Sequence, residues 1–90
     1  EHCAAPIVWN PESTQIAIPI WNQYRRQQIS VINLEDRSFR MYSRTFRVLV
    51  FESFQQGIIK GIDSPIYKTK SIEFDTKTEE IERIKQLNVL

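Results

Sequence analysis

The chain is rich in β-branched aliphatic residues and poor in the residues that favour helices. Ile and Val together occupy 18 of the 90 positions, whereas Leu occupies 4 and Ala occupies 3. β-Branched side chains lose rotamer freedom in a helix and pack well on a pleated sheet. The composition therefore disfavours a helical bundle and predicts an all-β or β-dominated (α+β) fold.

The length of the chain predicts one small domain, residues 1–90. A domain of this size buries roughly 60–65% of the surface that its unfolded chain exposes, so its core is small. Only two Gly and one Cys are present, which excludes a collagen, a low-complexity chain and a disulfide scaffold. No apolar run approaches the length of a membrane-spanning helix, so no membrane partner is expected. The compartment stays open, and Glu1 as first residue is compatible with a processed or secreted form.

Apolar segments separated by turn residues predict an antiparallel β-meander of about six to eight strands. Pro19 has no backbone donor, which places its strand at a sheet edge or at a bulge. Gly61 lies inside a strand and indicates a bulge or a close approach of two backbones. The predicted strands cover residues 5–9, 15–21, 28–34, 38–43, 47–53, 58–62 and 67–75.

The segment that follows the last of these strands fits two structures. A Thr-x-x-Glu sequence gives a capping box, and Ile81, Ile84 and Leu87 recur every three residues, as they would on one face of a helix. The alternative is a hairpin whose returning strand covers residues 80–86. The spacing slightly favours the first structure, a C-terminal helix at about 78–88.

Two stretches, at about 5–43 and 47–87, can be aligned as weak blade-like repeats with an offset of about 40 residues. In the first, Val-Trp-Asn-Pro-Glu at 8–12 and Gln-Ile-Ala at 15–17 resemble the start of a blade in WD-repeat and TolB-type β-propellers. In the second, Ile-Glu-Phe-Asp-Thr at 72–76 resembles the end of a blade's third strand. Two blades cannot close a propeller of four to eight. The resemblance therefore implies a fragment or an assembly of copies, and the alternative is a β-meander of the general kind.

The sequence contains no set of residues that argues for catalysis, a cofactor or a metal. His2 is the only His, and its neighbour Cys3 lacks the third group that would orient a catalytic pair. Four ligands for a structural zinc ion are not available. No phosphate-binding glycine loop and no nucleophile elbow is present. The prediction is a protein without enzymatic activity and without a cofactor.

Arginine is concentrated in the middle of the chain, where residues 24–47 carry six Arg against two acidic residues. In a regular strand, Arg40, Tyr42, Arg44 and Phe46 would share one face. Arg interleaved with aromatic residues can hold single-stranded nucleic acid, with guanidinium groups on phosphates and rings on bases. The alternatives are an acidic protein partner, or rings that are buried while the Arg side chains cover them through cation–π contacts.

Trp21 and Pro19 lie on the face of their strand opposite Ile16, Ile18 and Ile20. If the three Ile side chains face the core, Trp21 is exposed and marks a contact with a partner or another subunit. Several strands are apolar on both faces, which a short chain cannot easily cover by itself.

These patterns predict a non-catalytic binding or assembly module that acts through a protein–protein or self-association surface, as a homo-oligomer. Binding of single-stranded nucleic acid through the Arg-aromatic strand is the alternative. The predicted partner-binding residues are Trp21, Pro19, Arg40, Tyr42, Arg44 and Phe46.

Overall fold

The computed structural model describes residues 7–64 and 68–86, and all of the regular secondary structure in that part of the chain is β-strand. Every pair of neighbouring strands runs antiparallel. The predicted all-β class and the meander of six to eight strands are confirmed. The strands are β1 (Val8–Trp9), β2 (Gln15–Trp21), β3 (Gln27–Asn33), β4 (Ser38–Phe46), β5 (Leu49–Gln55), β6 (Ile58–Asp63), β7 (Lys70–Asp75) and β8 (Ile81–Gln86).

The strands form two sheets of unequal size. The larger sheet has the order β1-β2-β3-β4-β8, and the smaller sheet has the order β5-β6-β7. The chain forms β1–β4 in succession, crosses to the smaller sheet for β5–β7, and returns to the larger sheet with β8. The two repeat-like stretches at about 5–43 and 47–87 therefore contribute different sets of strands.

The inner faces of the two sheets pack against each other and form the core. The ring of Phe74 lies at the contact, with its centroid 5.0 Å from that of Tyr42 and 6.2 Å from that of Phe46, both in edge-to-face arrangements. Such pairs add to the stabilisation that burial itself provides. The buried core residues are Ala17, Ile29, Val31, Tyr42, Phe46, Leu49, Phe54, Ile59, Ile72 and Phe74.

A buried amide also joins the sheets where the chain crosses between them. Gln27 of β3 is almost fully buried, and its Oε1 accepts a hydrogen bond from the backbone N–H of Leu49 at 2.6 Å. Leu49 begins β5, and its backbone donor would otherwise be buried without a partner. The bond fixes the start of the smaller sheet against the larger one.

Asparagine side chains shape the hairpin loops of the larger sheet. Asn10 Oδ1 accepts the backbone N–H groups of Thr14 and Gln15, and Asn22 Oδ1 accepts those of Tyr24 and Arg26. This use of a short polar side chain in place of a backbone acceptor is the reason that Asn favours turns. The chain thus makes its turns with few glycines.

Pro19 lies in β2, beyond the two residues that pair with the described part of β1. On the side of β1, the described residues pair with β2 only at Ile16 and Ala17. Pro19 is paired with Ile29 of β3 on its other side. The residue that would continue β1 opposite Pro19 lies outside the described part of the chain, so the predicted edge or bulge at Pro19 stays a prediction.

The predicted C-terminal helix at about 78–88 is wrong for the described residues up to Gln86. Residues 81–86 form strand β8, which pairs with β4 rather than with the preceding strand β7. Ile81 packs against the core, whereas Ile84 is 60% exposed, so the three-residue spacing does not mark a buried face. Cross-strand hydrogen bonds to β4 outweigh the helical signals, which are worth only about 1 kcal/mol for a cap.

Gly61 allows a close approach between β5 and β6. A Cβ atom at this position would lie 2.5 Å from the backbone oxygen of Val50 and 3.2 Å from the Cα of Phe51. The pairing register of β5 shifts between Phe51 and Ser53, opposite this glycine. The predicted close approach and irregularity at Gly61 are confirmed.

We expect Gly61→Ala to lower the free energy of unfolding by about 2 kcal/mol, because the added methyl group meets backbone atoms that cannot rotate away. Urea denaturation followed by circular dichroism measures the change. Lys60→Ala is the matched control in the same strand. Within the described residues, Lys60 makes an exposed ion pair of 3.9 Å with Glu73, so its effect should stay within about 0.5 kcal/mol. Equal effects of the two substitutions would contradict the steric interpretation.

Candidate functional site

The predicted residues of β2 lie on the inner face of the larger sheet. Pro19 is buried there, in line with Ala17 of the core. Trp21 continues the same face beyond the edge of the core and is 39% exposed. The Trp21 side chain is thus partly exposed, whereas Pro19 on the same face of β2 is buried.

The predicted residues of β4 divide between core and surface. Tyr42 and Phe46 are buried, and both contact Phe74 across the inter-sheet space. Arg44 is exposed, pairs with Glu79 at 3.1 Å, and places its guanidinium carbon 5.1 Å from the centre of the Phe46 ring. The rings are therefore not available for stacking with a ligand. This arrangement is the one in which Arg side chains cover buried aromatic residues.

Arg40 lies half-buried at the margin between the sheets. It shares an opening of about 170 Å³ with Tyr42, Asn33 and Lys77. Its Nε atom is enclosed and has no hydrogen-bond partner among the described residues. Because that atom is shielded from solvent, it is not placed to meet a ligand from outside.

Tyr42 links the sheets through its hydroxyl, which donates a hydrogen bond to the backbone oxygen of Thr76 at 2.8 Å. Burial raises the pKa of this hydroxyl above its ordinary value of 10.0, and the nearby Arg40 guanidinium partly opposes the shift. The phenol therefore stays protonated and acts as a structural donor.

The outer face of the larger sheet carries a continuous apolar surface. One row of directly paired residues crosses four strands, namely Trp9, Ile16, Ile32 and Phe39, and ends at Lys85 of β8. The next row runs from Ile18 through Ser30 and Met41 to Arg83. We define the outer apolar face as Trp9, Ile16, Ile18, Ile32 and Phe39.

The outer apolar face is open to solvent on the side away from the core. Trp9 is 45% exposed, and the other four residues are partly exposed. Further along the same side of the sheet, Ile20, Ser30 and Met41 are buried, and the loop between β2 and β3 lines a groove beside them. The smaller sheet packs on the inner face, and no second sheet among residues 7–64 and 68–86 covers these five residues. The face is thus an uncovered apolar surface on a small protein.

The sequence pattern did not determine which face of β2 is directed toward the core. The structure directs Ile16, Ile18 and Ile20 outward, while the small Ala17 and Pro19 face the core. Trp9 and Phe39, which align with Ile16 and Ile32 across the sheet, are the signal that could have revealed this face. Recognising it requires the strand registers, which the sequence pattern alone does not provide.

The loop between β2 and β3 forms a second feature at one end of the molecule. Trp21, Arg25, Arg26, Arg47 and Val48 line an open cleft of about 470 Å³, which we call the arginine cleft. Arg47 and Val48 come from the connection between β4 and β5. Of the residues predicted from the sequence to bind a partner, only Trp21 lines this cleft.

No metal centre is apparent in the described part of the chain. Within residues 7–64 and 68–86, no three His, Cys, Asp or Glu side chains gather as metal ligands. His2 and Cys3 lie outside these residues. The same part of the chain contains no helix that is long and apolar enough to cross a membrane.

Comparisons with protein-family models, with curated proteins and with solved structures found no match to this chain. The functional argument therefore depends on the surfaces of the protein itself.

We expect Tyr42→Phe to lower the free energy of unfolding by about 1–2 kcal/mol at neutral pH, because the oxygen of Thr76 loses its buried donor. The wild-type protein should also lose stability as the pH rises above 10.0, the ordinary pKa of a tyrosine. Above that pH the unfolded state releases a proton that the folded state retains, until the raised pKa of the folded state is reached. The contribution is fully present at lower pH.

Thermal denaturation between neutral and alkaline pH tests both effects. The Tyr42→Phe protein should lose less stability than the wild type over the alkaline range. Tyr24→Phe is the matched control, because the Tyr24 side chain is 74% exposed and should change neither quantity. A Tyr42→Phe protein with wild-type stability would show that the inter-sheet hydrogen bond contributes nothing.

Proposed function

We propose that the protein is a non-catalytic assembly module that associates with a second copy of itself through the outer apolar face. The observation that supports this function is the cross-strand row of Trp9, Ile16, Ile32 and Phe39 on a face that no described element covers. Removing such a surface from water stabilises an association by roughly 25 cal/mol for each Å² of apolar area.

The chemistry of this face fits another β-sheet. The inner face of the larger sheet is already covered by a sheet that presents Phe54, Ile59 and Phe74. The outer face presents the same residue types, which interdigitate when sheets pack about 10 Å apart. A second copy supplies a complementary sheet of this kind, since a two-fold interface uses the same patch on both subunits.

The size of the face is of the order that a dimer needs. With strands about 4.8 Å apart and residues about 3.4 Å apart along them, the larger sheet presents roughly 500 Å² in projection. Stable interfaces bury about 800 Å² of accessible surface on each partner, and accessible area exceeds projected area on a corrugated face. The interface would use most of the sheet.

The position of the charges selects one mode of packing. On this face, charged side chains among the described residues lie on β8, where Arg83 and Lys85 project outward and Glu82 accepts a hydrogen bond from the Gln28 amide. A two-fold axis parallel to the strands places β8 of one copy over β1 of its partner, which keeps the basic groups of the two copies apart. Arg83 and Lys85 then approach the partner's Trp9, where a cation–π contact is favourable.

Binding of nucleic acid through Arg40, Tyr42, Arg44 and Phe46 remains a proposal that the geometry does not favour. The Tyr42 and Phe46 rings are enclosed by the core, and Arg44 is already paired with Glu79. Self-association is therefore the function that the surface of the protein supports best.

We expect the wild-type protein to form dimers and Ile18→Lys to prevent them, because a charge at the centre of the face would be buried on association. Sedimentation velocity over a range of concentrations measures the populations of monomer and dimer. Ile62→Lys is the matched control, because Ile62 is a partly exposed isoleucine on the outer face of the smaller sheet.

Circular dichroism should show that both variants keep the fold. A wild-type protein that stays monomeric up to about 1 mM would overturn the proposal, since a weaker association corresponds to less than about 4 kcal/mol. Equal dissociation by Ile62→Lys would also overturn it, because the contact would then not lie on the outer apolar face.

A further inference from the structure

We propose that the arginine cleft binds single-stranded nucleic acid, with phosphate groups on Arg25, Arg26 and Arg47 and a base on the Trp21 ring. Three guanidinium groups and an indole line this cleft of about 470 Å³, and no carboxylate lines it. The cleft lies at the end of the sheets and does not include a residue of the outer apolar face. The phosphate contacts of this binding are therefore separate from the self-association surface.

Two parts of the backbone hold the arginines in place. The Asn22 side chain accepts the backbone N–H groups of Tyr24 and Arg26, and Arg25 has a positive φ of 60°. On the other wall, Asp63 Oδ1 accepts the N–H groups of Arg47 and Val48 at 2.9 and 3.0 Å. The cleft is thus built from two ordered loops.

The ligand-binding groups of the cleft have no partner within the described residues. In that part of the chain, the ion pairs are Arg44 with Glu79 and Lys60 with Glu73. The cation–π contact there is that of Arg44 with Phe46. The three guanidinium groups of the cleft and the indole of Trp21 are therefore free to meet a ligand, unlike the arginine-covered rings of β4.

The combination of groups favours nucleic acid over an acidic peptide. Guanidinium groups bind phosphate through paired hydrogen bonds, and indole rings stack on bases. An acidic peptide would use the arginines but would gain little from the exposed rings. Trp21 also lines a neighbouring groove of about 470 Å³ together with Tyr24, which is 74% exposed, and this groove also contains Glu82 and Arg83 of β8. A strand that passes over Trp21 can therefore place a second base on Tyr24.

Fluorescence titration with a single-stranded DNA of about ten nucleotides tests the proposal, since a site of this kind spans about 4–16 nucleotides. The titration uses a Trp9→Phe protein, in which Trp21 is the remaining tryptophan. We expect quenching of the Trp21 emission at low salt. Because about 0.7 counterion is released for each phosphate contacted on a single strand, log K should fall with log salt with a slope of about −2.

Arg25→Gln and Arg37→Gln form a matched pair. Both arginines are exposed, both lie in hairpin loops of the larger sheet, and both have a positive φ, of 60° and 56°. Arg37 lies in the loop between β3 and β4, at the opposite end of the sheet. Arg25→Gln should weaken binding and reduce the salt slope by about 0.7, whereas Arg37→Gln should leave both unchanged.

Three results would overturn the proposal. The first is the absence of binding at low salt, and the second is equal weakening by the two variants, which would show diffuse attraction to a positive protein. The third is binding of an oligoglutamate peptide, or of a mononucleotide, as tight as that of the oligonucleotide. A failure here leaves the dimerisation experiment unaffected, because that experiment uses protein that retains Trp9, and neither Arg25 nor Arg37 is part of the outer apolar face.

Discussion

The packing of a three-stranded sheet on a five-stranded sheet determines both the stability and the surfaces of this protein. Phe74 contacts Tyr42 and Phe46 at the centre of that packing, and the Tyr42 hydroxyl and the Gln27 amide tie the sheets together at its margins. The smaller sheet packs on the inner face of the larger one. Among the described residues, no second sheet covers the outer apolar face, and the proposed dimer would supply one.

Much of the fold could be predicted from local sequence. β-Branched residues in alternation located the strands, and Gly61 indicated a close approach, because both depend on short-range sterics. The identity of β8 could not be predicted in this way. Its spacing fits a helix as well as a strand, and the pairing with β4 that decides between them joins residues far apart in the chain. The β2 strand posed the same difficulty, since both of its faces are apolar and only the register with β1 and β3 shows which one is inside.

The candidate sites were less accessible to sequence reasoning. Arg44 and Phe46 were correctly recognised as neighbours, but a linear pattern does not distinguish a ring that stacks on a ligand from a ring that its own arginine covers. Of the predicted residues, Trp21 lines the arginine cleft. Arg25 and Arg26 lie in the loop before β3, and Arg47 lies in the connection after β4. These segments are far apart in the sequence, so the cleft exists only once the strands between them are paired.

The pairing of β8 with β4 has a consequence for the order in which the protein is made. Ser38, the first residue of β4, pairs with Gln86, so the ribosome must add 48 residues after Ser38 before its partner in β8 exists. During that interval β4 presents an open row of hydrogen-bonding groups, a template for other nascent chains. Closing so long a loop is also slow. Strand β8 therefore completes the larger sheet late in synthesis. Substitutions that weaken β8 would expose β4 to misassembly during synthesis more than they would weaken the finished core.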